Sequence, residues 1–217
     1  MTAASAPARP RQARSRATRE RLLVAARRAF AEHGHDGVNL RVHVLEPAGV
    51  GVGSFYHQFA DKTDLLITLL DEAAEDRRRA VVDDPAVVAE RTPQEVLGEG
   101  FARLLADIDA SEDLWRIQIR ERANPDPRIR RRVGGGPDAW RRDLAATLRA
   151  TTGAPEAVVA RAADLLFSLG VGLAATYLER PRRRRTAAAR RELAAGAATF
   201  ATAGLGALLE GGGADRP

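Results

Sequence analysis

The run Val52-Gly53-Ser54-Phe55-Tyr56-His57 gathers side chains that can read the edge of a base pair. The Ser54 hydroxyl donates or accepts, and the His57 ring can donate to guanine acceptors. Val52 offers apolar contact, as to a thymine methyl, and Gly53 permits close backbone approach. Such chemistry needs a narrow, rigid support. Upstream, Ala48-Gly49-Val50 forms a tight turn in which Gly49 can take the left-handed backbone that other residues avoid. Downstream, Asp61 opens another helix, with Asp64 three residues on as a carboxylate version of the capping box. A helix, a glycine turn and a short exposed helix make the geometry that enters a DNA major groove.

The charge distribution agrees with a polyanionic partner. The 217 residues carry a formal charge of +5 and a pI near 10.7. At the N-terminal end, Arg9, Arg11, Arg14, Arg16, Arg19, Arg21, Arg27 and Arg28 stand against Glu20 alone, next to the motif. Hydrophobic residues make up 45%, enough for a packed core, and aromatics only 5%. With alanine abundant, this favours helices over sheets. No cysteine is present, so disulfides and thiolate metal sites are excluded and a cytoplasmic location is expected. The N-terminus lacks the apolar stretch of a secretory signal. The uncharged runs 165–178 and 193–209 are, respectively, too short and too weakly apolar for a bilayer, and read as buried helices.

The chain reads as all-α, without strand alternation or internal repeats. Residues 1–16 are expected to be a disordered basic arm, with Thr18 capping a first helix that Gly34 ends. A second helix should start near Asn39 and a third cover 52–58, completing a DNA-binding domain over 17–62. A connecting helix follows over 63–82, then a hinge at Asp83-Asp84-Pro85. A second helical domain covers 83–210, with a disordered tail over 211–217. Within it, Pro93 and Ser111 begin helices, Asn124-Pro125-Asp126-Pro127 breaks one, and Gly134-Gly135-Gly136-Pro137 stops another. Pro155 starts a long apolar helix, and a last one runs over 187–210.

Residues 18–70 resemble the DNA-binding domain of the TetR family of transcriptional repressors. Phe30, Gly34, Ala48-Gly49-Val50, Gly53-Ser54-Phe55-Tyr56, Phe59, Lys62 and Leu65-Leu66 carry the resemblance. It implies that three N-terminal helices read DNA while the C-terminal helices bind a small-molecule effector and form a homodimer on a palindromic operator. It also implies that Val52, Gly53, Ser54 and His57 face base edges, that Tyr56 gives its hydroxyl to a phosphate, and that Lys62 meets another phosphate. Arg41, on the second helix, is a further DNA-binding candidate. The expected function is repression released by an effector.

The departure from the family lies in the second helix. Counting back from Gly49, Leu45 takes a place that is usually a small alanine, and Asn39-Leu40-Arg41 sits one residue too far from the turn. A leucine at a close helix crossing predicts overpacking worth about 1–3 kcal/mol unless the crossing adjusts. Pro47 removes a donor, a loss of about 3 kcal/mol in a helix interior, so helix 2 is expected to be shortened or kinked. This supports an alternative reading, an interaction protein that keeps the fold with operator binding weakened or lost.

Phe55 and Phe59, on one face, should be core. In the second domain Phe101, Trp115 and Trp140 either line an effector pocket or fill the core, with Arg120 as a candidate polar anchor beside Arg116, Glu121 and Asp107. Residues 182–185 read as a solvated loop. The glycines Gly170, Gly172, Gly196, Gly204 and Gly206 in the last two helices fit close approach to a two-fold mate in a four-helix bundle. His33 and His35 have no third ligand nearby. No nucleophile–base set, phosphate loop or metal-spaced cluster appears, so no catalytic residue, metal or cofactor is assigned, and an enzyme is not expected.

Overall fold

The computed structural model describes residues 10–81, 88 and 90–211, and every regular element among them is helical. Helix α1 covers Pro10–Gly37, a π-helical turn covers Leu40–Leu45, and α2 covers Glu46–Ala48. Then come α3 (Val52–Tyr56), α4 (Lys62–Val81), α5 (Pro93–Ala110), α6 (Glu112–Glu121), α7 (Pro127–Thr152), α8 (Glu156–Glu179) and α9 (Ala187–Gly211). The all-α expectation is borne out. The hinge expected at residues 83–85 lies outside the described residues, as do residues 1–9 and 212–217 of the two expected disordered ends.

Residues 10–16 belong to α1 rather than to an irregular arm, and Thr18 lies inside that helix instead of capping it. Alanine and arginine are good helix formers, and Pro10 is tolerated where no intrahelical donor is needed. At the other end, Gly34 adopts φ 68°, ψ 171° and breaks the helical ladder three residues before its last turn closes.

Two apolar cores organise the chain. The first joins Leu22, Ala26 and Phe30 of α1 to Val44, Leu45, Phe55, Phe59, Leu65 and Leu66. Leu114 and Ile117 of α6, and Ile129 and Val133 of α7, pack into the same core. The second joins Leu97, Phe101, Leu105 and Ile108 of α5 to Leu148, Val159, Ala162, Tyr177, Ala198 and Leu205. α5 lies along α9, α7 along α8, and α6 along α1. Thr92 and Glu95 form a complete capping box at the start of α5, which also holds the Glu95 carboxyl below its usual range.

The stop expected at residues 134–137 does not occur: α7 runs unbroken from Pro127 to Thr152. Its first turns are held by Ile129 and Val133 in one core and its last by Leu148 in the other. Burial at both ends outweighs the local cost of glycine and proline, which is about 1 and 3 kcal/mol per residue.

Residues 182–185 are also more than a solvated loop. Arg182–Arg184 form one exposed 3-10 turn, but Arg185 is buried beneath it. Its guanidinium donates to Glu112 Oε2 (2.9 Å), the Leu178 carbonyl (2.7 Å) and the Arg180 carbonyl (2.9 Å). Burial raises the Glu112 carboxyl, but Arg116, Arg185 and Arg182 around it bring it below the usual range.

Candidate nucleic-acid interface

α3 has one buried edge and one open face. Phe55 and Phe59 are 0% and 2% exposed, as their four-residue spacing requires. Val52 and Tyr56 are 53% and 60% exposed, and Gly53, Ser54 and His57 lie open beside them. A Cβ added to Gly53 would meet nothing within 4 Å, so its backbone is free to be approached. The helix ends two residues earlier than expected: His57 and Gln58 form a turn, with the His57 N–H on the Gly53 carbonyl at 3.2 Å. The turn before α3 forms as anticipated, with Gly49 left-handed at φ 60°, ψ 41°. The residues expected to face DNA from this helix thus share one exposed surface, braced from behind by two phenylalanines.

The second helix resolves its misfit by widening. The Glu46 amide donates to the Arg41 carbonyl, five residues back, which marks a π-helical turn. Such a turn holds one residue more than an α-turn and so absorbs the one-residue offset seen in the sequence. Val44 and Leu45 both reach the core, at 0% and 4% exposed. Pro47 lies in the helical turn that follows directly on the π-helical one, and it donates no backbone hydrogen bond there. Asn39 caps the turn by accepting the Val42 N–H at 3.2 Å, and His43 Nδ1 accepts the Asn39 N–H at 3.1 Å. The His43 ring stacks on His33 with centroids 4.1 Å apart. Arg41 is exposed, and its Nε lies 3.5 Å from Glu46 Oε1.

The start of α4 is fixed by carboxylates. Asp61 Oδ1 accepts the Asp64 N–H at 2.7 Å, and Asp64 Oδ2 reaches back to the Ala60 N–H at 2.8 Å, one residue beyond a standard capping box. Lys62 is not turned outward. Its ammonium donates to the His35 carbonyl at 2.6 Å and the Val38 carbonyl at 3.1 Å, tying α4 to the end of α1. Two of its three donors are therefore committed inside the protein, which leaves one for a further acceptor.

A polar junction built from residues far apart in the chain supports this corner. The break at Gly34 frees the His35 N–H, which donates to Glu121 Oε1 at 2.8 Å; Glu121 is only 3% exposed. His35 Nε2 lies 3.0 Å from Thr63 Oγ1, and Arg128 pairs with both Asp61 (2.9 Å) and Asp126 (3.1 Å). The Arg128 guanidinium holds the Asp61 carboxyl below its usual range, and the Arg128 N–H, then its guanidinium, does the same for Asp126. The sequence signals for this junction were the interrupting Gly34 and the Asn-Pro-Asp-Pro run after Glu121.

Of the four effector candidates, Phe101 and Trp115 share the second core. Phe101 is buried there, and Trp115 is half-buried with its indole N–H on Asp107 Oδ2 at 2.7 Å. Trp140 is 37% exposed on α7. Arg120 points to α1, where its Nη1 donates to the Glu32 carbonyl at 3.2 Å. It thereby joins the junction at the end of α1. Glu121 is buried there too.

Comparison with known proteins follows the same division. Residues 22–69 match the family described as bacterial regulatory proteins, tetR family. The chain is 32% identical over 114 residues to the HTH-type transcriptional repressor AcnR of Corynebacterium efficiens, covering 52% of this chain and 54% of that protein. It is 35% identical over 115 residues to AcnR of Corynebacterium diphtheriae, with the same coverage. The matched part thus spans about half the length of these curated relatives. Among solved structures, a TetR-family regulator from Mesorhizobium loti superposes with a TM-score of 0.69 at 20% identity, over 88% of this chain and 97% of that one. FadR from Bacillus subtilis, solved in complex with stearoyl-CoA, gives 0.69 at 17% identity, over 85% and 98%.

Proposed function

We propose that this chain, which belongs to the tetR family of bacterial regulatory proteins, is a DNA-binding transcriptional repressor that acts as a homodimer and is released by a small-molecule effector. The observation that carries the reading is the exposed face of Val52, Gly53, Ser54, Tyr56 and His57 on a helix locked by Phe55 and Phe59. In this reading Val52, Gly53, Ser54 and His57 meet base edges, while Tyr56 and backbone amides near Lys62 meet phosphates. Arg41 reaches the backbone if it exchanges Glu46 for a phosphate. Residues 17–62 form the reading domain, and residues 83–210 the effector-binding and dimerising domain.

Dimerisation is supported by the surface of the last two helices. α8 and α9 are apolar and long enough to cross a bilayer, yet only 28% and 22% of their most apolar windows are buried. They are thus far less covered than the sequence led one to expect. Leu165 and Phe200 are 57% and 71% exposed, and a Cβ on Gly172, Gly196, Gly204 or Gly206 would meet nothing within 4 Å. These glycines serve no close approach within the chain, which favours a second copy packed on this face. A cytoplasmic repressor needs this partner, since a palindrome is read by two heads.

The inward-turned Lys62 and the paired Arg41 favour the alternative, an interaction protein of the same fold with weakened operator binding. Selection from random duplex DNA separates the two. The repressor reading requires enrichment of a palindromic site bound by two chains. Recovery of duplexes with no common sequence would support the alternative.

A further inference from the structure

We propose that the turn between α8 and α9 is a second DNA-contacting surface, in which Arg183 and Arg184 meet phosphates at the centre of the operator, between the two reading heads. The inference rests on the dimeric DNA-binding reading above and extends it to residues outside the helix-turn-helix.

The turn is a concentrated and rigidly held positive charge. Arg180, Arg182, Arg183, Arg184 and Arg185 fall within six residues. Two carboxylates border the turn: Glu179, exposed at the end of α8, and Glu112, which is shared by Arg116, Arg182 and Arg185. Arg183 and Arg184 are exposed and have no ion-pair partner among the described residues. The buried Arg185 fixes the backbone that carries them, bonding two carbonyls of the turn as well as Glu112, with its guanidinium 5.4 Å from the Tyr177 ring centre. Burying an arginine to hold three others outward concentrates like charge. That repulsion is relieved when a polyanion binds.

The position of the turn selects DNA as that polyanion. Glu112 opens α6, and the next residue, Asp113, lies 3.7 Å from Arg27 of α1. Leu114 and Ile117 of the same helix pack into the core of the reading domain. The α8–α9 turn is therefore joined through Glu112 to the helix that packs on the reading domain. A two-fold dimer that sets both reading heads on one duplex must turn this junction of both chains toward that duplex. The two turns then flank the symmetry axis, over the central base pairs, and present four unpaired guanidinium groups.

The test is the salt dependence of binding to a duplex selected as above, for the full chain and for the double variant Arg183→Gln, Arg184→Gln, which spares the buried Arg185. The control, Arg142→Gln with Arg161→Gln, removes the same charge from exposed sites away from the turn. Each phosphate contact contributes about 0.9 to the slope of log K against log salt. If all four arginines of the dimer make one contact, the slope falls by about 3.6 in the double variant, with little change in the control. A double variant with the parental slope overturns the inference. If the unmodified chain selects no duplex at all, the repressor reading itself has failed, which is a different outcome.

Discussion

The amide of Glu46 donates to the carbonyl of Arg41, and this single five-residue bond lets a non-standard second helix support a standard recognition helix. Spread over one more residue than an α-turn, the chain delivers Val44 and Leu45 to the core and still meets the left-handed Gly49 in register. The widened turn makes Leu45 a core residue in contact rather than one in excess. Leu45→Ala should therefore cost about 2–5 kcal/mol, as for a buried leucine that leaves a cavity. Urea denaturation decides the matter, since an overpacked leucine would give a stabilised variant instead.

The Glu121 carboxylate is the acceptor for the His35 N–H exposed by the break at Gly34. Glu121→Ala leaves that amide buried without a partner and should destabilise the protein by about 1–3 kcal/mol. Glu121→Gln retains an acceptor oxygen and should recover much of this. Equal losses in both variants, by thermal unfolding, would show that the bond is not the cause.

Lys62 holds two carbonyls at the end of α1. Lys62→Ala should lower stability by about 1–3 kcal/mol and weaken DNA binding through a loosened α4. A variant of unchanged stability that binds DNA less well would return Lys62 to the role of direct phosphate ligand.

Acid stability should follow the paired carboxylates. The Glu112 carboxyl sits below its ordinary value of 4.5 in the folded chain. Its contribution is therefore fully present above pH 4.5 and is lost as the pH falls through the lower, folded-state value. Denaturant titrations of the parent and Glu112→Gln should differ most above pH 4.5 and converge below it. A gap that widens on acidification contradicts this pairing.

Phe200, exposed on α9, and Leu165, exposed on α8, should lie at the interface between two copies. Phe200→Asp with Leu165→Asp should shift the chain from dimer to monomer in sedimentation velocity. A parent that sediments as a monomer at micromolar concentration would remove the two-headed account.

Much of this was legible from the residues alone. The glycine turn, the buried pair Phe55 and Phe59, the helical class and the start of α5 follow from local spacing and capping chemistry. What escaped depended on distant partners. The continuity of α7 through residues 134–137 is set by two cores on either side, which outweigh the local breakers. The burial of Arg185 and Glu121 depends on partners 73 and 86 residues away, Glu112 and His35. The π-turn was signalled only as a misfit, since a residue too many can be absorbed by a kink or by a wider turn. The inward course of Lys62 follows from the carbonyls freed at the end of α1, which the sequence placed near Gly34 without showing what would meet them.

The central claim, that the open face of α3 reads sequence while Tyr56 anchors the backbone, is tested most directly by the binding of two variants to a panel of duplexes. His57→Ala should change the order of preference among operator variants. Tyr56→Phe should weaken binding to every duplex alike and leave that order intact. Gel-shift affinities in which neither variant differs from the parent, or in which Tyr56→Phe reorders the panel and His57→Ala does not, would contradict the account.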